Sequence, residues 1–219
     1  MIVSSDKEYI DTKRFKRGEV RLEQPYLDLA GWVEKKYGVK VLNVIYDIVL
    51  PVQRPRLQIC VESQGDCNIF RSKDDFNFDD RKQKQIQDQF VHLVKKASHS
   101  IEIDKLFVVF SAFEPIAKEE ANGKIDEGEI DSLKSELENE ELWKIRRSFG
   151  GVTFFFYTEN HVNMAKQCDL LSKYSSAYLK LIKRYDEFNY LTADNFHVSF
   201  DSKENFDKNY KGSWFAYDR

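Results

Sequence analysis

The sequence RSFGGVTFFFY at residues 147–157 decides the fold, because it joins a helical pattern to a run of aromatic residues. After the double glycine, residues 152–157 are apolar at almost every position, which is typical of a strand covered on both faces. The segment before it carries apolar residues at helical spacing, namely Ile130, Leu133, Leu137, Leu142, Ile145 and Phe149. We therefore predict a helix that ends with Gly150 in the left-handed conformation, followed by a buried strand.

The same stretch meets five of the seven specified positions of the RNA-recognition octapeptide. The matching residues are Arg147, Phe149, Gly150, Val152 and Phe154. The stretch thus resembles the third strand of an RNA-recognition domain, and the resemblance implies bases stacked on exposed rings. It departs from the motif at Ser148 and at Gly151, where an aromatic ring would carry a base. No strand is predicted between this stretch and the candidate partner motif at 106–108, so a buried strand is the favoured interpretation.

Hydrophobic periodicity divides the rest of the chain into helices and strands. PYLDLAGWVEKKYG (25–38) has proline in its first turn and glycine at its end, as a helix does. RLQICVE (56–62) alternates, so one face of this strand is predicted to be wet. Further helices are predicted at 80–99, at 161–185 and after a capping box at 201–204, and further strands at 39–50, 105–113, 195–200 and 212–218, with a short one near 68–71.

This order predicts an α/β fold, with α+β as the alternative, in which helices flank one layered mixed sheet of about 5–7 strands. The 219 residues fit a single large α/β domain at 25–219, preceded by a polar N-terminal arm or hairpin at 1–24. A subdivision near 115–126 is the alternative. No internal repeat is visible in the sequence.

Charge is unevenly distributed along the chain. The net charge is only −3, which favours neither nucleic acid nor an acidic membrane as a partner. Residues 118–141, however, contain ten Asp or Glu against three Lys. Such a run is typical of a solvated helix face, and it also fits a docking surface for a basic protein. The residues selected for this surface are Glu136, Glu138, Glu140 and Glu141.

The cysteine spacing and the hydropathy of the sequence indicate the cellular compartment of the protein. Cys60, Cys67 and Cys168 have no CxxC spacing, which favours a reducing environment. No apolar run approaches the roughly 18 residues of a membrane span. We expect a soluble cytoplasmic protein without a membrane partner, and its oligomeric state is left open.

Residues 25–113 follow the order α-β-β-β-α-β, which resembles the core of PD-(D/E)xK nucleases. The resemblance implies a Mg²⁺ ion held by two carboxylates on consecutive strands, and Asp47 and Glu62 have a permissible spacing. The family also has a lysine two residues after the second carboxylate, where this chain has Gln64. The alternative function is therefore a Mg-dependent, nuclease-like domain that lacks its catalytic lysine.

A calcium loop is suggested by DDFNFDD (74–80) and then excluded by its spacing. Asp75, Asn77 and Asp79 occupy alternating ligand positions. The loop would need glycine at position 80 and a closing glutamate at position 86, where the chain has Asp80 and Ile86. A helix N-terminus rich in aspartate is the simpler interpretation.

The four histidines form no recognisable metal or acid–base motif. His92 and His99 are about 10 Å apart along one helix, too far to ligate one metal unaided. His161 and His197 have no partner motif nearby. We predict no metal, no cofactor and no catalytic constellation.

These features favour a non-catalytic protein-binding module. Its acidic helix at 118–141 would capture a basic partner, as an immunity protein captures a basic toxin.

Overall fold

The chain forms two compact units in a computed structural model, which describes residues 3–74, 77–98, 100–148 and 150–218. The units are Met1–Ile116 and Ala117–Arg219, and each contains helices and a three-stranded sheet. The predicted mixture of helices and strands is confirmed, whereas the prediction of one large sheet is wrong. The single domain at 25–219 and the subdivision near 115–126 stay predictions.

The first unit has a sheet in the order β1-β2-β3, with β1 antiparallel and β3 parallel to the central strand β2. Its N-terminal segment, predicted to be a polar arm or hairpin, contains helix α1, and α3 lies near the site of the predicted short third strand. The elements are α1 (Lys7–Lys16), α2 (Tyr26–Tyr37), β1 (Val41–Val49), β2 (Arg54–Val61), α3 (Gln64–Asn68), α4 (Asp80–Lys96), β3 (Phe107–Ala112) and α5 (Phe113–Gly123), which continues beyond the unit.

The second unit has a sheet in the order β4-β5-β6, with β4 antiparallel and β6 parallel to the central strand β5. Its elements are α6 (Glu127–Glu136), β4 (Leu142–Ser148), β5 (Gly151–Phe156), α7 (Glu159–Gln167), α8 (Leu170–Ile182), β6 (Val198–Ser202), α9 (Lys203–Tyr210) and α10 (Trp214–Tyr217).

Both units follow the same chain path, helix-strand-strand-helix-helix-strand-helix, with the same strand pairings. The agreement extends to single hydrogen bonds. The residue after the central strand donates its N–H to the carbonyl before the first strand, Glu62 to Lys40 in one unit and Tyr157 to Glu141 in the other. The chain is therefore a structural repeat whose two copies share no visible sequence pattern.

The central strand of the first unit is buried on both faces. Leu57, Ile59 and Val61 pack into the core formed with α2 and α4. The opposite face carries Gln58 and Cys60, which are also buried. The predicted wet face is thus wrong, because α1 covers it with polar side chains such as Thr12, whose Oγ1 accepts a hydrogen bond from Asn43 at 3.1 Å.

The central strand of the second unit is apolar on both faces, as predicted, and all its residues are buried. Phe154 and Phe156 belong to the core formed with α6, α7 and α8. Phe155 points to the other face, where its ring meets those of Trp143, Trp214 and Tyr217. The Phe-rich rings are therefore packed within the protein and offer no open stacking platform.

Residues 142–148 form strand β4, so the predicted helix through Phe149 is wrong. Helix α6 ends at Glu136, and the chain then forms a hairpin with β5. A β-bulge between Leu142 and Lys144 explains the misleading pattern, because it turns Leu142 and Ile145 toward the same core. Gly150 lies in the hairpin turn instead of at a helix end, and Phe149 lies outside the described residues.

In the second unit two further predictions are wrong and a third is confirmed. The long helix at 161–185 is divided into α7 and α8 by Asp169, whose φ of 52° is left-handed. The strand expected at 212–218 is the short helix α10, capped by Ser213. The expected short helix after residue 201 is confirmed as α9, although its N-cap is Ser202.

Other predicted elements agree with the structure. Helix α2 ends at Gly38, which has a left-handed φ of 69°, as its sequence indicates. The strands expected at 39–50, 56–62 and 105–113 appear as β1, β2 and β3. Within the described part of the chain, no helix is long and apolar enough to cross a membrane.

The buried Tyr178 supplies a test of the second core. Its hydroxyl donates to Asn122 Oδ1 at 2.6 Å, and burial raises the pKa of the phenol above its ordinary value of 10.0. The unfolded chain, in which this group ionises near its ordinary pKa, therefore gains stability relative to the folded chain as the pH rises above 10.

We expect Tyr178→Phe to lower the free energy of unfolding by about 1–2 kcal/mol near neutral pH, because Asn122 loses its donor. Above about pH 10 this loss should shrink, because the variant lacks the group whose ionisation favours unfolding. Urea unfolding at both pH values measures the difference. Tyr157→Phe, at an exposed ring, is the control. A loss that stays constant or grows with pH would contradict the assignment.

Candidate functional site

Glu136 is the last residue of α6, and Glu138, Glu140 and Glu141 lie on the short connection from α6 to β4. We call residues 136–141 the acidic turn. Helix α6 begins with a capping box at Asp126 and Glu129 and ends where Leu137 donates its N–H to the Leu133 carbonyl. Leu137 and Leu142 are both buried, so the turn is fixed to the core at its two ends. Between these anchors the chain must reverse direction, and Glu138 adopts a left-handed φ of 48°.

Asn139 attaches the middle of the turn to the protein. Its Oδ1 accepts the Glu141 N–H at 2.9 Å, and its Nδ2 donates to the Tyr174 hydroxyl at 2.7 Å. Burial raises the pKa of Tyr174, and the bond from Asn139 opposes that shift. The backbone of the turn is thus held from within while its acidic side chains face outward.

Glu136, Glu138, Glu140 and Glu141 are all exposed. The carboxyl end of α6 adds the negative end of a helix dipole to these carboxylates. In the part of the chain that the structure describes, no ion pair involves Glu136, Glu138 or Glu140. The turn is therefore a concentrated negative surface held in one conformation.

Acidic residues in the first half of the run at 118–141 form ion pairs with basic residues of the same chain. Glu127 forms an ion pair with Arg147 at 2.6 Å, and Glu129 forms one with Arg184 at 3.3 Å. Glu120 pairs with Lys124 at 3.2 Å. The run at 118–141 is thus two helices and a turn instead of one acidic helix, and its outward charge is concentrated at the C-terminal end.

Glu141 has a histidine as its neighbour. Nδ1 of His161, on α7, lies 2.7 Å from Glu141 Oε2. This nitrogen is buried, and the contact lacks the geometry of a hydrogen bond. Glu141 thus contacts α7, whereas Glu136, Glu138 and Glu140 form no ion pair among the described residues.

A surface groove of about 550 Å³ between α6 and α8 adjoins the turn at Glu136. Leu133 and Leu181 form part of its lining, and the Glu129–Arg184 ion pair lies in the groove wall. The lining also includes Lys180, so the groove joins apolar surface to charges of both signs.

Asp47 and Glu62 are not brought together. Asp47 is opposite Arg56 in the antiparallel β1–β2 pair, and Glu62 follows the end of β2 six residues later. That separation is roughly 20 Å along the strand, too long for one metal ion to bridge.

Each of these carboxylates already has cationic partners. Asp47 accepts two hydrogen bonds from the Arg56 guanidinium, at 2.9 and 2.5 Å. Glu62 forms ion pairs with Lys16 and with Lys40, the latter at 2.6 Å. Gln64 opens α3, and its Nε2 donates to Asn68 Oδ1 at 2.7 Å. The geometry around these residues is that of ion pairs and a local helix contact.

The other candidate residues from the sequence analysis are a helix cap, a buried thiol and exposed histidines. Asp79 caps α4 by accepting the N–H groups of Arg81 and Lys82, as expected for an aspartate-rich helix start. Burial raises the pKa of the Cys60 thiol, which opposes its use as a nucleophile. His92 and His197 are exposed.

Asp75 and His99, which the sequence analysis considered as metal ligands and excluded, lie outside the described residues. Among the residues that are described, no group of three His, Cys, Asp or Glu side chains is arranged to hold a metal ion.

The sequence interpretation missed Asn139 and Tyr174, which fix the acidic turn. An asparagine between glutamates is a signal for a turn, because its short side chain bonds to nearby backbone groups.

Comparison of the chain with protein-family models, with curated proteins and with solved structures found no match.

Replacing Asn139 tests how the turn is held. We expect Asn139→Ala to raise the exchange rate of the Glu141 amide hydrogen about tenfold, because the amide loses its acceptor. Asn139→Asp keeps the acceptor and removes the donor to Tyr174, so it should preserve most of the protection at Glu141. Amide exchange followed by NMR distinguishes these variants. Equal exchange in the wild type and in Asn139→Ala would show that the turn is held by other contacts.

Proposed function

We propose that this chain is a non-catalytic protein-binding module that recognises a basic partner through the acidic turn. The observation that supports the proposal is the exposure of Glu136, Glu138 and Glu140, without ion pairs among the described residues, on a turn fixed by buried anchors. Because the turn is already ordered, little conformational entropy would be lost there on binding.

The basic partner would be steered by charge and held by a long side chain. Carboxylates at the end of α6 raise the rate of encounter with a positive surface. In the groove beside Glu136, which joins apolar surface to charges of both signs, the stem of an arginine or lysine would contact the apolar part and its charged end would contact Glu136. This is the type of recognition by which an immunity protein neutralises a basic toxin, and we propose that type for this chain.

We place this activity in the cytoplasm. The cysteines are free thiols, and Cys60 and Cys67 are buried within the first unit. Such usage fits a reducing compartment.

Charge reversal in the acidic turn tests the proposal with a fluorescent peptide of arginine residues as the probe. We expect Glu138→Lys combined with Glu140→Lys to weaken binding about tenfold at low salt, because two attractions become two repulsions of a few tenths of a kcal/mol each. Fluorescence anisotropy at about 50 mM and about 300 mM salt measures the affinity and its screening.

The matched control is Glu23→Lys combined with Asp194→Lys. Both residues are exposed, and the double substitution changes the net charge by the same amount. The control should bind within about twofold of the wild type, because it leaves every carboxylate of the acidic turn in place. Equal weakening in the two variants would mean that net charge alone attracts the peptide. Absence of binding by the wild type would contradict the proposal directly.

A further inference from the structure

The turn between β1 and β2 exposes an apolar surface that the first unit does not cover. Leu50 is 74% exposed, Val52 is 70% exposed, and Ile48 is partly exposed beside them. We call residues 48–55 the hairpin tip. Contiguous exposed apolar side chains of this kind mark contact surfaces.

Strand β1 leads into the tip and forms an edge of its sheet. The other edge strand, β3, is covered by Gln83, whose Nε2 donates to the Val108 carbonyl at 2.5 Å. Along β1, the one side-chain bond to its main chain in the described residues is that from the Val41 N–H to Glu34 Oε1, at its first position. The remaining edge is therefore suited to pairing with another strand.

The sequence of β1 lacks the usual protection against such pairing. Residues 41–49 contain no Lys, Arg or Pro. Their one charged side chain, Asp47, is held in the ion pair with Arg56. Pro55, which has no N–H, stands opposite Ile48 on β2. Because Pro55 cannot donate, Ile48 and Pro55 form a non-hydrogen-bonded pair. The N–H and C=O groups of Ile48, and those of Tyr46 and Val44 at two-residue intervals before it, are therefore expected to point away from β2 toward the open edge.

A groove of about 500 Å³ runs beside the first half of β1. One wall is formed by residues 43–46 of the strand, and the other includes the apolar side chains of Phe15, Val20 and Leu22. The groove and the tip thus lie on one strand, a few residues apart. The tip of one molecule has the chemistry that the groove of another requires.

The charged residues around the tip and around the groove indicate what kind of partner these surfaces bind. The rim of the tip carries Arg54 and Lys105 together with Glu102 and Asp104, and the groove is bordered by Arg14, Arg21, Asp11 and Glu23. Each rim is neutral and has two charges of either sign. Such surfaces do not select a strongly basic or acidic partner, whereas a second copy brings a neutral tip with charges of both signs to a neutral groove with charges of both signs.

We propose that two copies of this chain pair antiparallel along the edge of β1, about a twofold axis near Ile48. In this register Asp47, Ile48 and Val49 of one copy face Val49, Ile48 and Asp47 of the other. The chain turns after Val49, so Leu50 and Val52 lie outside the ladder, beside the first half of β1 in the second copy. Each tip enters the groove of the other copy, so the same contact is made twice.

The mass of the full-length protein in solution tests this arrangement. By light scattering over roughly a hundredfold range of concentration, the wild type should shift from 25.9 kDa toward twice that mass. Leu50→Lys combined with Val52→Lys should raise the dimer dissociation constant at least about tenfold. Leu27→Lys combined with Met164→Lys, at other exposed apolar positions, should leave it unchanged. Circular dichroism confirms that both variants are folded.

A disulfide trap tests the register. In a Cys168→Ser background, which removes the exposed native thiol, Ile48→Cys should form a disulfide-linked dimer under mild oxidation. Leu27→Cys in the same background should not. A wild type that stays monomeric at the highest concentration, tip variants that dimerise as it does, or equal trapping of the two cysteine variants would overturn the proposal.

Discussion

The central strand of each sheet is buried on both faces, and this constraint determines the rest of the architecture. In the second unit, Phe154 and Phe156 face one core while Phe155 faces another set of rings. A three-stranded sheet with both faces covered needs helices on both sides. In the first unit α1 provides the second cover, and in the second unit Trp214 and Tyr217 of α10 provide it. Those terminal segments are therefore part of the folded units.

Different chemistry satisfies the same constraint in the two units. Beneath α1, Gln58 donates to Ser111 Oγ at 2.9 Å, and Asn43 donates to Thr12. Beneath α10, the rings of Trp143 and Trp214 stack on each other. A polar face remains stable only when its hydrogen bonds are complete, whereas an aromatic face depends on packed area. This difference hides the structural repeat, because matching positions share burial without sharing residue type.

Local patterns in the sequence predicted the elements whose signals lie within one segment. The ends of α2 and the burial of β5 follow from such signals, as does the cap of α4. Strand β4 was missed because its bulge places Leu142 and Ile145 at helical spacing. The break at Asp169 was missed because the apolar stripe continues through it. The separation into two sheets depends on strand pairing between distant segments, which hydrophobic periodicity does not encode.

In the candidate site, too, some features follow from local sequence and others depend on contacts between distant segments. Exposure of the four glutamates was predictable from their charge, whereas the turn that holds them depends on Asn139 meeting Tyr174, 35 residues away. The spacing of Asp47 and Glu62 suited a metal site, but antiparallel pairing of β1 and β2 places them at opposite ends of the sheet. Sequence distance between strands therefore says little about convergence unless the pairing is known.

The central claim is that the rings of β5 serve cohesion and are closed to solvent and ligands on both faces. Hydroxyl-radical footprinting tests it most directly, because Phe215, which is 70% exposed, is an internal standard in the same chain. We predict strong labelling of Phe215 and almost none of Phe154, Phe155 or Phe156. Labelling of Phe155 comparable with that of Phe215 would contradict the claim and show that the second face of the sheet is open.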